Sequence, residues 1–318
     1  MASYDVPARH PSGRLPFSYQ RLPGPLRFWL SRWLIGGEPL STVDLRRSLE
    51  RDPIDPATQG APGWPGGRRV ALGLSHDVDT DRGVAEVAPL IELEARLGVR
   101  STLFVPGDVA VRHERLVRAW QARGWEVALH GARHDNRLAS LEGAALEQRL
   151  ADIHGLARRF GMRGFRAPSF WVCEAQLSRL GPPLVYDSSV PAHRPATRIS
   201  PERGARTCRP FRVGAVLELP VALPLDDDLL REGLPHTRFH EVRARYVAGV
   251  AARGGVAVLA DHTEPHLSGH RLARAAYAAS IERFLDDGAI WMAPLLDIAV
   301  HFDRSPSRDL GQPVAGQC

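Results

Sequence analysis

The chain has 318 residues, 44% of them hydrophobic and 24% charged, the balance of an ordinary globular protein rather than a disordered or fibrous one. All 41 basic residues are Arg, and the lack of Lys excludes chemistry that needs a Schiff-base amine or a Walker A lysine. The net charge of +5 is spread without a run of five like charges, so no nucleic-acid partner is expected, while an acidic substrate or an anionic membrane surface stays open.

Cys173, Cys208 and Cys318 are odd in number and contain no CxxC, which indicates neither a disulfide framework nor a thiolate zinc site. The N-terminus carries acid and Pro where a secretory signal needs a basic start and an apolar run, and no stretch of 18 apolar residues occurs. The expectation is a cytoplasmic protein.

Residues 1–66 hold ten of the 26 prolines and form an irregular Pro-rich extension. Within it, residues 26–35 place Phe28, Trp29 and Trp33 among Arg residues, a segment suited either to docking on the main domain or to peripheral contact with the inner membrane surface. From residue 67 the pattern changes. Val70 to Leu74 reads as a strand, Val84 to Leu97 as a helix, Ser101 to Val105 as a strand and Val109 to Arg123 as a helix. Trp125 to Leu129 follows as a strand, Leu141 to Phe160 as a helix, Gly164 to Arg166 as a strand, and a further strand ends at Tyr186. Past a more irregular middle come an extended Val216 to Leu219, a helix over Val242 to Ala252, a strand over Val256 to Ala260, a helix over Arg271 to Leu285 and a last strand over Ala289 to Met292.

Repeated β-then-α units imply parallel strands with crossover helices, hence an α/β protein built on a distorted (β/α)7–8 barrel spanning residues 67–303, with 304–318 as a tail. In such a barrel the chemistry sits at the C-terminal ends of the strands. Asp77 and Asp79 lie there after the first strand, His130 and His134 after the third, Arg166 after the fourth, Asp187 after the fifth and His262 after the late strand. Two carboxylates on one side of an extended chain repel unless one binds a cation and the other keeps a separate role. Two imidazoles four residues apart come to a common face within one helical turn and can share one ion. The same spacing at His236/His240 and His262/His266/His270 reads as surface and loop residues beyond His262.

SHDVDT, HGARH, FRAPSF and ADHTEP, in this order and each at a strand end, resemble the successive motifs of the polysaccharide deacetylases, the NodB-homology group of carbohydrate esterase family four. The resemblance covers residues 68–303. It implies that Asp77 is the general base, that Asp79, His130 and His134 hold one divalent metal ion, that Arg166 orients the base and that His262 is the general acid. Val78 separates the two carboxylates where the family commonly has adjacent Asp-Asp, and the family's fourth motif is not clear here. Asp187 is the candidate to support His262, with the run Asp226-Asp227-Asp228 as its rival.

An Asp/His/His donor set suits zinc, which lowers the pKa of its water and polarises an acyl oxygen while backbone N–H groups near Ser169 and Phe170 help to bind the substrate's oxyanion. The implied activity is metal-dependent N-deacylation of an N-acetylamino sugar in a polysaccharide or a lipid-linked saccharide. A ring-amide hydrolase of the allantoinase type and a non-catalytic carbohydrate-binding barrel are the alternatives.

Overall fold

The computed structural model describes residues 38–43, 63–196 and 202–304. The apolar segment with Trp29 and Trp33 lies outside them, as does the tail from residue 305.

Strand β1 (Val70–Asp77) is buried along its whole length. Its first five residues are apolar or Gly, as a strand covered on both faces requires, and its last three are Ser75, His76 and Asp77. Buried polar groups must find partners. Ser75 Oγ donates to Leu259 O at 2.7 Å, His76 Nε2 lies 3.1 Å from Glu94 Oε1, and Asp77 Oδ1 accepts from Arg166 Nη1 at 2.7 Å. The polar end of the central strand is therefore wired into three different neighbours, and that end carries the site.

Helix α1 (Asp81–Leu97) starts at Thr80, whose hydroxyl accepts from Gly83 N, and stops at Gly98 in the left-handed conformation. It leads to β2 (Thr102–Val105). The expected single helix over 109–123 is two, α2 (Gly107–Arg112) and α3 (Glu114–Ala122), broken where His113 leaves helical geometry at φ −115°, ψ 28°. β3 (Glu126–Leu129), α4 (Gly143–Phe160), β4 (Gly164–Phe165), the short α5 (Glu174–Leu177), β5 (Tyr186–Asp187), β6 (Phe211–Val213) and β7 (Val216–Glu218) follow. The chain ends with α6 (Asp226–Arg231), α7 (Phe239–Ala251), β8 (Val256–His262), α8 (Arg271–Leu285), β9 (Ile290–Ala293) and α9 (Leu295–Arg304).

The strands form one sheet in the order β6-β7-β5-β4-β3-β2-β1-β8, with β9 on β1, and every pairing is parallel except β6–β7. β8 occupies one edge of β1 from Ala71 to Asp77, so β2 and β9 share the other edge, β2 at Ser75–Asp77 and β9 at Val70–Gly73. That wedge makes the sheet curl. β8 and β6 end the sheet without pairing to each other, so it is a curled, open half-barrel.

At the N-terminal ends of β2 and β3, Thr102 Oγ1 accepts from Leu295 N at 2.9 Å and Glu126 from Leu296 N at 3.0 Å, so side chains from both strands satisfy the first N–H groups of α9. His270, read from sequence as a bystander, caps α8 by accepting from Ala273 N. Among the described residues no helix is long and apolar enough to cross a membrane.

Candidate active site

The C-terminal ends of β1, β3, β4 and β8 bring six of the sequence-selected residues to one place. Asp77 closes β1, and Asp79 follows two residues later, past Val78. His130 comes directly after β3. Residues 132–136 are a succession of bends and not the expected helical turn, so His134 returns to His130 through a loop that passes Gly131 at φ 71°. A side chain at Gly131 would be strained by that φ and crowded by the Pro168 ring. The imidazole rings of His130 and His134 stand 5.2 Å apart.

Asp79 is the hub. His130 Nε2 lies 3.3 Å from its Oδ1, His134 Nε2 lies 3.4 Å from its Oδ2, and His262 Nε2 lies 3.9 Å from Oδ2. The donor atoms of Asp79, His130 and His134 all fall within 4.8 Å of one another. Burial pushes the Asp79 carboxyl up, but the neighbouring His134, His130 and His262 together hold it well below the usual carboxylate range. Burial lowers the pKa of His134.

The set fits a divalent ion on three further observations. Among the described residues buried Asp79 Oδ1 has no hydrogen-bond partner, which an acceptor removed from water needs. His130 donates from Nδ1 to Arg166 O at 3.0 Å, which fixes the tautomer with its Nε2 lone pair toward Asp79, the outer support that metal-binding imidazoles use. Ligands about 2.1 Å from a tetrahedral zinc are about 3.4 Å apart, the separation found between Asp79 and the two imidazoles.

Arg166 is fully buried, an uncommon place for one guanidinium among 41. Its Nε donates to Ser188 O at 3.0 Å, its Nη2 to Ser188 Oγ at 3.2 Å and its Nη1 to Asp77 Oδ1, while Cζ stacks 3.9 Å above the Phe104 ring. Every arm is committed. Asp77 Oδ2 lies 3.7 Å from His130 Nε2 and faces the same centre.

His262 ends β8 beside Asp77 in register. Its Nδ1 donates to Asp226 Oδ1 at 2.7 Å, and its backbone N–H donates to Asp226 Oδ2 at 2.9 Å. Burial alone would lower the imidazole's pKa, but the charge and hydrogen bond of Asp226, with Asp79 and Asp227 behind them, raise it well above the ordinary histidine value.

The assignment of Asp187 to His262 is corrected here. Asp187 sits on β5, separated from β8 by β4, β3, β2 and β1. It accepts from Ser189 Oγ at 2.6 Å and Ser189 N at 3.1 Å, and pairs in register with Glu218 of β7. Burial raises the pKa of both carboxyls, that of Glu218 further because Asp187 adds its charge. The first Asp of the 226–228 run holds His262 instead, because α6 starts against β8. The other two pair elsewhere, Asp227 with Arg231 and Asp228 with Arg194.

Ser169 and Phe170 take left-handed φ values of 55° and 52°, a costly conformation for non-glycine residues that concentrates at functional sites. The Phe170 N–H is bound to Ala167 O at 3.0 Å, so of the two proposed backbone donors only that of Ser169 stays unengaged among the described residues. Glu264 escaped the sequence reading although it lies in the ADHTEP run. It accepts from the N–H and hydroxyl of Thr80 at 3.0 and 3.3 Å and so ties the loop after β8 to the start of α1, at a spot where only Gly83 leaves room. Asp261 of the same run forms a buried ion pair with Arg243.

No protein-family model matches the sequence, and no curated protein does. Solved structures do match. A structure described as a polysaccharide deacetylase from Mycobacterium smegmatis has TM-score 0.61 at 22% identity, covering 80% of this chain and 98% of its own. One from Pseudomonas aeruginosa PAO1 with the same description has TM-score 0.62 at 19% identity, covering 85% and 100%. The Puue allantoinase has TM-score 0.63 at 17% identity, covering 84% and 99%. The fold is therefore the one that these polysaccharide deacetylase structures share with the allantoinase.

Proposed function

We propose that this chain is a metal-dependent N-deacylase of an N-acylamino sugar, in a polysaccharide or a lipid-linked saccharide precursor. The observation that carries the reading is the convergence, at one end of the sheet, of an Asp/His/His donor set with two separately supported proton-transfer groups, Asp77 on Arg166 and His262 on Asp226. A structural ion site needs neither of the last two. Asp79, His130 and His134 would hold the ion, zinc by the chemistry of the set, and when bound it supplies Lewis-acid polarisation of the acyl oxygen and a lowered pKa for water.

The chain's own residues divide the remaining work. Arg166 fixes the Asp77 carboxylate with Oδ1 engaged and Oδ2 turned to the centre, where it accepts the proton of the attacking water. The Ser169 N–H supports the developing oxyanion. An amide nitrogen leaves poorly as an anion, so collapse requires a proton, and His262 delivers it from Nε2 while Asp226 holds the ring through Nδ1. The raised pKa of His262 keeps that proton in place near neutrality.

The test is a screen of purified protein, with and without added zinc, against nucleotide-, lipid- and oligosaccharide-linked N-acetyl sugars, with allantoin included, reading released acetate, formate or ring-opened product. Zinc-dependent release of acetate or formate is expected. Turnover of allantoin alone would favour the ring-amide alternative, and no turnover by fully metal-loaded protein would favour a non-catalytic barrel. Cytoplasmic location and peripheral contact with the membrane belong to the same proposal, and flotation on anionic vesicles tests the contact.

A further inference from the structure

Arg194 and Arg203 face each other across an antiparallel bridge, with Arg194 N donating to Arg203 O at 2.7 Å and Arg203 N to Arg194 O at 3.0 Å. Side chains directly opposite in such a pair leave on the same face, so two like charges start side by side and repel. Arg194 has an anion, since it pairs with Asp228, two residues along α6 from the Asp226 that holds His262. Nearby Arg206 pairs with Glu202, Arg231 with Asp227, and Arg166 with Asp77. Arg203 has no carboxylate among the described residues. Its Nη1 donates to Phe170 O at 3.2 Å, and its Cζ lies 5.7 Å from the Trp171 ring centroid. Burial, then the charge of Arg194, lowers its pKa to about 10 against the opposing pull of Asp228, which is itself paired with Arg194.

The carbonyl that Arg203 grips belongs to the loop of the candidate oxyanion donor. The Phe170 ring stands between Arg166, at 5.6 Å, and Arg194, at 5.9 Å, and Ser169 is the one exposed residue between 164 and 172. A guanidinium held by a carbonyl and a ring is already ordered. Its planar fork matches a carboxylate or a phosphate better than it matches a neutral sugar.

We infer that Arg203, with Arg194 beside it, binds an oxyanion carried by the substrate, so that the substrate class is an anionic N-acyl compound, a carboxylate or phosphate close to the amide. This rests on the deacylase reading for the identity of the substrate, but not for the anion site. Phosphate on a saccharide and a sugar acid offer the same chemistry, and separate probes distinguish them.

The experiment titrates the full chain with inorganic phosphate and, separately, with acetate, followed by tryptophan fluorescence and calorimetry, in wild type, Arg203→Gln, Arg203→Lys and the remote surface control Arg238→Gln. Arg203→Gln is expected to weaken phosphate binding at least tenfold, Arg203→Lys at least threefold, and Arg238→Gln not at all. Should Arg203→Gln fail to fold, Arg203→Lys decides on the same criterion. Anion binding that Arg203→Gln and Arg203→Lys leave intact, or that only His134→Ala removes, belongs to the metal centre and overturns the inference. In parallel, kcat/KM is compared for N-acetylglucosamine, its 1-phosphate and N-acetylmuramic acid. The preference for an anionic substrate over the neutral one is expected to fall at least tenfold in Arg203→Gln, and whichever anionic sugar leads identifies the source. If no sugar is hydrolysed while phosphate binding still depends on Arg203, the deacylase reading fails and the anion site stands. Hydrolysis with no preference for the anionic sugars and no dependence on Arg203 overturns the anion site alone.

Discussion

Asp226 holds His262 twice, accepting the imidazole Nδ1–H at one carboxylate oxygen and the backbone N–H at the other. The two bonds fix the ring's tautomer and its direction together. Asp226→Asn keeps the shape but offers one acceptor oxygen, so one of the two bonds is lost and the imidazolium loses its counter-charge. Amide turnover is expected to fall about 100-fold or more, the scale of a misplaced general acid, with metal content unchanged. Hydrolysis of 4-nitrophenyl acetate, whose leaving group needs no proton, should fall far less. Equal losses on amide and aryl ester would remove His262 from the acid role.

The metal set predicts a different pattern. Asp79→Ala, His130→Ala and His134→Ala each remove one of three donors and are expected to lower bound zinc severely by elemental analysis, whereas Asp77→Asn retains the ion and loses about 100-fold or more in rate because an amide cannot take the water's proton. Full occupancy in His134→Ala would sink the ligand assignment, and wild-type turnover in Asp77→Asn would end the division of labour between the two carboxylates.

The strand ends were legible because β1 and β8 are largely apolar runs closing on Asp or His, and β3 leads directly into His130, a pattern that burial on both faces imposes. The partners were not. Asp187 and Asp226 both follow apolar stretches, and only the sheet order shows that four strands lie between β5 and β8 while α6 touches β8. The HxxxH spacing suggested a helical turn, yet a bent loop with Gly131 achieves the same approach. Arg166 was marked by its place after the fourth strand, but its complete burial was not, since burial leaves no mark on a single residue's identity. Glu264 and the lone Arg203 take their meaning from what surrounds them in space.

Stability should fall in acid partly through Glu94. This fully buried carboxylate receives Ser101 Oγ at 2.8 Å, Trp125 Nε1 at 2.7 Å and Tyr277 OH at 2.9 Å, besides the 3.1 Å contact with His76. Burial raises its pKa, but His76, Trp125 and Ser101 together hold it below the ordinary glutamate value. A depressed folded pKa means that the unfolded chain takes up the proton first, so this contribution is complete above the usual glutamate range and is lost as pH falls through the folded value. Glu94→Gln is expected to cost about 1–3 kcal/mol at neutral pH and to give a shallower acid limb in denaturant melts. A steeper limb than wild type would contradict the assignment.

The segment at residues 38–43 gives the N-terminal extension a measurable attachment. Glu232, just past α6, accepts from Leu40 N at 2.5 Å and Ser41 N at 3.0 Å, Tyr246 OH donates to Leu40 O at 2.7 Å, and the Leu40 side chain is buried. Removing residues 1–37 leaves these bonds in place, whereas removing 1–43 strands a carboxylate and a phenol beside the helix that supports His262. With hydrogen bonds to a charged group worth about 1.5–3 kcal/mol each and partial repair by water, the longer truncation is expected to cost about 2–4 kcal/mol. That loss should appear as a melting point several degrees below that of the shorter truncation, with zinc content equal in both. Turnover should follow the same split, because the strap braces α6, whose Asp226 aims the proton donor. Equal melting points for the two truncations would show that residues 38–43 brace nothing.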